Sequence, residues 1–106
     1  MHDVRIGASA ERDLFVSFDF YETQAAGLGQ YFLDSLFSDI DALALYAGVH
    51  PKPLAGLNRS LAGRSPFAIY YDFDGRTAIV LAMLDCRRNP RSIRGALGAR
   101  RTQAKK

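Results

Sequence analysis

A chain of 106 residues, 48% of them hydrophobic, has the apolar content of one packed domain, too little length for two, and a composition unlike that of a disordered segment. The net charge of +3 hides an uneven distribution: residues 1–86 carry six Lys/Arg and all eleven acids, residues 87–106 carry eight Lys/Arg and none. No apolar run approaches the ~20 residues that span a bilayer, Met1-His2-Asp3-Val4-Arg5 lacks a secretory layout, and the single Cys86 can neither pair internally nor build a zinc site, so a cytoplasmic chain without membrane contact is expected.

In chain order, Val4 to Gly7 fits a short strand. Ser9 is placed to cap a following helix, with Glu11 and Asp13 in the first turn, where the helix dipole favours negative charge. Leu14, Phe15, Phe18 and Tyr21 recur at helical spacing and form the expected apolar stripe. Ala26-Gly27-Leu28-Gly29 interrupts the pattern. Leu28, Phe32, Leu36, Ile40, Leu43 and Ala47 then share one face of a second helix, with Asp34, Asp39 and Asp41 outward. Gly48 is a natural stop, and Pro51 and Pro53 forbid continuation. The short joint makes the pair an antiparallel helical hairpin.

Leu57 to Ala62 is a weak strand candidate, and Phe67-Ala68-Ile69-Tyr70-Tyr71-Asp72 a stronger one, rich in aromatic and branched residues. Asp74-Gly75 signals a hairpin turn. Thr77 to Leu84 shows no polar alternation and is expected at the sheet centre, buried on both faces. Strand parity puts Tyr71 in the core with Phe67 and Ile69 and Tyr70 on a partner-facing surface. Pro90 closes the strand region, and Arg91 to Leu97 is a short helix or a frayed end. The expected fold is α+β: an N-terminal strand and a helical hairpin packed on a small antiparallel sheet. One domain is expected over residues 1–98, with residues 99–106 a basic, poorly ordered tail.

The ordered set of Gly27-Leu28-Gly29 with Phe32, then Arg59, Pro66-Phe67-Ala68-Ile69-Tyr70-Tyr71, Ile79-Val80-Leu81-Ala82-Met83-Leu84 and Arg87-Arg88-Asn89-Pro90 resembles the RelE/ParE superfamily of type II toxins. That superfamily carries an arginine, a Phe-Pro-aromatic-x-Ile-Tyr-Tyr strand, an apolar strand and an Arg-Arg-Asp-Pro close. The resemblance covers residues 4 to 94. Ser65 replaces the usual Phe before the proline, Asp85 stands where many relatives carry a histidine, and Asn89 replaces the common aspartate.

The resemblance implies a toxin neutralised by a cognate, usually acidic antitoxin, with operator DNA reached only through that antitoxin. The superfamily has two branches. Its RelE-like members are ribosome-dependent mRNA endoribonucleases; its ParE-like members inhibit DNA gyrase by binding. Cleavage through the RNA 2′-hydroxyl needs a base for that hydroxyl, cations for the phosphorane and a proton for the leaving oxygen. Here the ribonuclease pattern is incomplete. The strand arginine falls on Ala68, the tyrosine past the last strand on Ile93, and the histidine on Asp85. Arginines bind phosphate but move protons poorly at neutral pH. The ParE-like branch is therefore preferred, and an enzyme is not expected.

If the chain is a ribonuclease, Arg59, Asp85 and Arg87 are its catalytic candidates, although Asp85 beside two arginines more simply makes a structural ion pair. Arg59, Arg64, Arg87, Arg88 and Arg91 are the candidates for holding a target or a phosphate, and Tyr70, Arg88 and Arg94 for contacting the antitoxin. His50 is expected to compensate a helix end, and Cys86 to be a small buried hydrophobe. His2 is idle at the terminus. No glycine-rich phosphate loop and no metal-ligand spacing occurs, so neither a cofactor nor a metal is expected. Rivals without a toxic action are an inactive relative that keeps the fold and a small basic nucleic-acid binder carried by residues 87–106.

Overall fold

A computed structural model describes residues 1–104. Strand β1 (Asp3–Ile6) leads into α1 (Ala8–Glu22), α2 (Leu28–Asp41) and the short α3 (Leu43–Tyr46); β2 (Asn58–Leu61), β3 (Phe67–Phe73) and β4 (Thr77–Asp85) follow, and α4 (Pro90–Ala104) closes the chain. The sheet order is β1-β4-β3-β2. The α+β class holds, and β2, β3 and β4 are antiparallel as expected. β1 adds parallel to β4, so the sheet is mixed, because the helical hairpin returns the chain to the same end before β4 begins.

Helix α1 starts directly off β1. Gly7 is its N-cap, and the Gly7 N–H donates to the Val80 carbonyl at 2.8 Å. A Cβ at Gly7 would stand 3.1 Å from that carbonyl oxygen, which is why glycine suits the position. Ser9 therefore caps nothing; its hydroxyl accepts from the Arg12 guanidinium at 3.2 Å. The buried stripe of α1 is also rotated from the expected one. Ala10, Leu14, Ser17 and Tyr21 face the core, and Phe15 is 65% exposed. Small residues at 10 and 17 let the helix approach the sheet, which turns Phe15 outward. At the hairpin corner the Glu22 carboxylate accepts from the N–H groups of Gly27 and Gly29, each at 3.0 Å, in place of a side-chain cap. Tyr21 stacks on Phe32, centroids 3.8 Å apart, and fastens α1 to α2.

The core has two layers. Leu14, Leu36, Ile40 and Leu43 cover one face of the sheet over Ile69, Tyr71 and Val80. Ile93 and Leu97 of α4 cover the other, over Tyr70, Leu81, Ala82 and Leu84. β4 is central and changes parity part-way. Tyr70 pairs with Ala82 and Tyr71 with Val80, so Leu81 is an extra residue, a β-bulge that sends Leu81 and Ala82 to the same face.

The basic end is not a tail as far as residue 104. Residues 99–104 are the last turns of α4, and the rest of the expected tail, 105–106, lies outside the described residues. Arg100 lies three residues past Leu97, on the buried side of the helix, and is ion-paired with Asp13 of α1. Arg101 donates to the Ala55 carbonyl at 2.5 Å. These contacts hold the helix where composition alone suggests fraying.

Candidate functional site

The arginines after β4 divide by what they touch. Arg87 grips Asp85: Nε lies 3.0 Å from Oδ1, Nη2 lies 2.7 Å from Oδ2, and the Arg87 backbone N–H also donates to Oδ1 at 2.8 Å. The bidentate Arg87 contact holds the Asp85 carboxyl below the usual carboxylate range, against a weaker opposing effect of burial. A carboxylate held that way is a poor base, since protonating it breaks its own hydrogen bonds. Arg88 donates to the Ser92 hydroxyl at 2.9 Å. Asn89 starts α4, its side-chain oxygen accepting from the Arg91 N–H at 2.8 Å. Arg91 and Arg94 point from the first turns of α4 into solvent. Among the described residues, the arginines held in ion pairs are Arg87 and Arg100.

Arg59 does not join Asp85 and Arg87. It sits on the edge strand β2 opposite Tyr70, and side chains directly opposite share a face, so Arg59 lies on the side covered by α4. Asp85 is opposite Phe67, on the hairpin side. The three ribonuclease candidates are thus split between the two faces of the sheet. Arg59 is half-buried, and its Nε makes no hydrogen bond. Arg64 lies at the far edge, donating to the Tyr31 hydroxyl at 2.9 Å with its guanidinium over the Tyr31 ring.

Several expectations change at this level. Tyr70 is 1% exposed beneath α4, so in this conformation it offers no surface to a partner. Ile93 and Leu97 bury it, and a helix over this face was not foreseen in that role. Ala68 and Ile93, the positions matching the ribonuclease arginine and tyrosine, are in the same buried layer. Cys86 is exposed rather than buried. Neighbouring protein nonetheless raises its thiol above the ordinary value, with Arg59 pulling weakly the other way, so the thiolate form is not favoured.

His50 is not a helix-end charge. Its Nδ1 is 2.5 Å from the Tyr71 hydroxyl, which also accepts from the Gly48 N–H at 2.9 Å. Burial alone lowers the imidazole pKa, which favours the neutral ring that accepts the phenol proton.

Sequence reasoning missed the Asp13–Arg100 pair. β1 ends at Ile6, leaving the second half of β4 without a strand on that side. There the Asp13 carboxylate accepts from the Met83 N–H at 2.9 Å and Arg100 donates to the Leu81 carbonyl at 3.2 Å. The ion pair thereby satisfies the strand edge and the bulge together. A signal existed: 93, 97 and 100 step at helical spacing, which puts Arg100 on the apolar stripe. The described residues contain no group of three His, Cys, Asp or Glu arranged to hold a metal, and no helix long and apolar enough to cross a membrane.

No protein-family model matches this chain, and no curated protein matches it significantly. Among solved structures, the chain is similar to one in the chromosomal ParDE TA system from P. aeruginosa, with a TM-score of 0.69 and 18% sequence identity, covering 78% of this chain and 94% of that one. The likeness establishes the RelE/ParE-like fold anticipated from the strand motifs.

Proposed function

We propose that this chain is the toxin of a type II toxin–antitoxin pair, held inactive by a partner protein and acting by binding a replication target such as DNA gyrase rather than by cleaving RNA. The observation that carries it is the fold likeness to a chain of the ParDE TA system over most of both molecules. The binding mode is favoured by the side chains at the matching motif. Arg59 is on the opposite face of the sheet from Asp85 and Arg87, and Asp85 is already tied to Arg87. The cations there can hold an anionic group, and the nearby Tyr21 phenol has its pKa raised by burial and by Asp85, which makes it a poor base at neutral pH. Arg88, Arg91 and Arg94 are the exposed groups through which a target or an acidic partner would be met.

The test is induced expression of the chain alone in a bacterium, followed by growth, mRNA integrity and DNA supercoiling. Arrest with intact mRNA and altered supercoiling is expected, relieved by co-expressing a cognate antitoxin. Arrest with fragmented mRNA overturns the binding mode in favour of ribosome-dependent cleavage. Unimpaired growth overturns the toxin assignment.

A further inference from the structure

We infer that the outer face of α1 joins two copies of this chain into an antiparallel dimer, an inference independent of the toxin reading. The face is one stripe of exposed residues, Ala8, Arg12, Phe15, Val16, Asp19 and Thr23, which step by 4, 3, 1, 3 and 4. Phe20 widens it on one side. Phe15, Val16 and Phe20 are 65%, 68% and 56% exposed, while Ala10, Leu14, Ser17 and Tyr21 turn to the core. Single exposed apolar residues are ordinary, but three large ones on two turns of one helix mark a surface that is covered in use.

The order of residues along the stripe selects the occupant. It reads the same in both directions about a point between Phe15 and Val16: small residue, charge, apolar pair, charge, small residue. Its two charges are opposite in sign. When a second copy is laid antiparallel over that midpoint, Arg12 of each copy stands opposite Asp19 of the other. The apolar pair then meets itself at the centre. A two-fold contact must be complementary to itself, and this stripe is. From Ala8 to Thr23 the helix rises ~22 Å, long enough for helix-on-helix packing along four turns.

The charges beside the stripe are already committed. Asp13 and Asp85 line the cleft between α1 and the end of β4, and they are ion-paired with Arg100 and Arg87. Arg88 lines the same cleft and donates to the Ser92 hydroxyl. The Glu22 carboxylate accepts from the N–H groups of Gly27 and Gly29. Within the stripe, Arg12 touches only the Ser9 hydroxyl, and neither Arg12 nor Asp19 is ion-paired among the described residues. An acidic helix laid here would run past Glu11, Asp13, Asp19 and Asp85. A second copy instead brings one cation to the anion of each stripe and leaves the exposed Glu11 to water at the rim.

The full chain, alone, is taken through sedimentation equilibrium over a concentration series. A contact confined to one helix face is small, so a dimer with a dissociation constant on the order of 10–100 µM is expected. Arg12→Asp and Asp19→Arg each place two like-charge pairs across the two-fold axis. Each variant alone is expected to dimerise roughly tenfold more weakly or worse. Mixed in equal amounts, the two variants oppose an acid to an arginine at both ends, so their heterodimer is expected to recover about the wild-type affinity. Phe15→Ser/Val16→Ser is expected to cost roughly 100-fold. Leu45→Ser/Val49→Ser, at apolar residues exposed on and after α3, is expected to dimerise like wild type.

A wild type that stays monomeric across the series overturns the inference and leaves the face to a different protein. A dimer untouched by either charge reversal, or lost in Leu45→Ser/Val49→Ser alone, places the contact elsewhere and overturns it as well. Failure of the mixture to form a heterodimer overturns the antiparallel pairing even where each variant alone is monomeric. The charge variants sit at exposed positions and are expected to melt like wild type. If Phe15→Ser/Val16→Ser unfolds, the mixture decides the question by itself. The toxin assignment stands or falls separately, on the growth assay.

Discussion

Tyr70 and Tyr71 are neighbours on β3, buried to 1% and 0% exposure on opposite faces of the sheet, and the two layers that cover them are built differently. The layer over Tyr71 is a helical hairpin with many apolar contributors and a neutral polar clasp, in which Tyr71 bridges Gly48 and His50. The layer over Tyr70 is one basic helix that buries little beyond Ile93 and Leu97, and its seam with α1 is an ion pair. A face covered by many small contributions tolerates the loss of one. A face covered mainly by Ile93 and Leu97, with Leu54, Ala55 and Ala96 only partly buried beside them and a charged seam, depends more on each contributor.

The largest expected effect tests that dependence at Leu97, which is fully buried. Leu97→Ala should cost about 2–5 kcal/mol in urea unfolding, the range for a truncated core leucine, and should speed hydrogen exchange in α4 more than in α1 or α2. Uniform loss of protection across the chain would mean that the two layers form a single cooperative unit.

The next effect is at the seam. Asp13→Ala removes the partner of Arg100 and the acceptor of the Met83 N–H together. A loss of about 2–3 kcal/mol is expected, below the full cost of breaking a buried pair because both side chains retain some solvent contact. Arg100→Ala should cost less, and the double variant should fall well short of the sum. Additive losses would show that the two side chains stabilise the fold independently.

Mild acid should act on the hairpin layer. Burial lowers the His50 pKa in the folded chain, so the unfolded chain binds the extra proton more readily. Stability from this site is therefore complete above the ordinary histidine value and is lost as the pH falls below about 6.5. His50→Asn keeps an acceptor near Tyr71 without the titration. Wild type should lose stability relative to this variant between pH 7 and pH 5, read from paired thermal melts. Parallel curves would remove His50 from the pH response.

The contrast between the layers also explains what was legible from residues alone. Leu36 and Ile40 declared the second helix by spacing, although the expected run through Leu43 and Ala47 breaks at Ala42 into the short α3, and the apolar run through Val80 declared the central strand. The mixed sheet was not legible, because the partner of a four-residue strand is set by where the hairpin returns it. The outward Phe15 was hidden because Ala10 and Ser17 are too small to register as a stripe. The α4 layer was hidden by its arginines: summed charge suggests a solvated end, whereas Arg100 and Arg101 lie where the helix meets Leu81 and Ala55. Of the site, the Arg87–Asp85 pair followed from two arginines beside one acid. The separation of Arg59 from that pair needed the strand register, which the sequence leaves open.

The smallest expected effect draws the boundary inside α4 itself. Arg91 and Arg94 share a helix and a residue type with Arg100, but they face solvent without an ion pair. Replacing either with Ala removes no packed stem and leaves no buried group unsatisfied, so the stability change should stay within about 0.5 kcal/mol. Urea midpoints of Arg91→Ala and Arg94→Ala, read beside Arg100→Ala, check this directly. If Arg91→Ala destabilises as much as Arg100→Ala, the basic segment is structural throughout, and its charge is not free to meet a partner. If only Arg100→Ala moves the midpoint, the fold holds its C-terminal arginines and leaves those of the first turns available for binding.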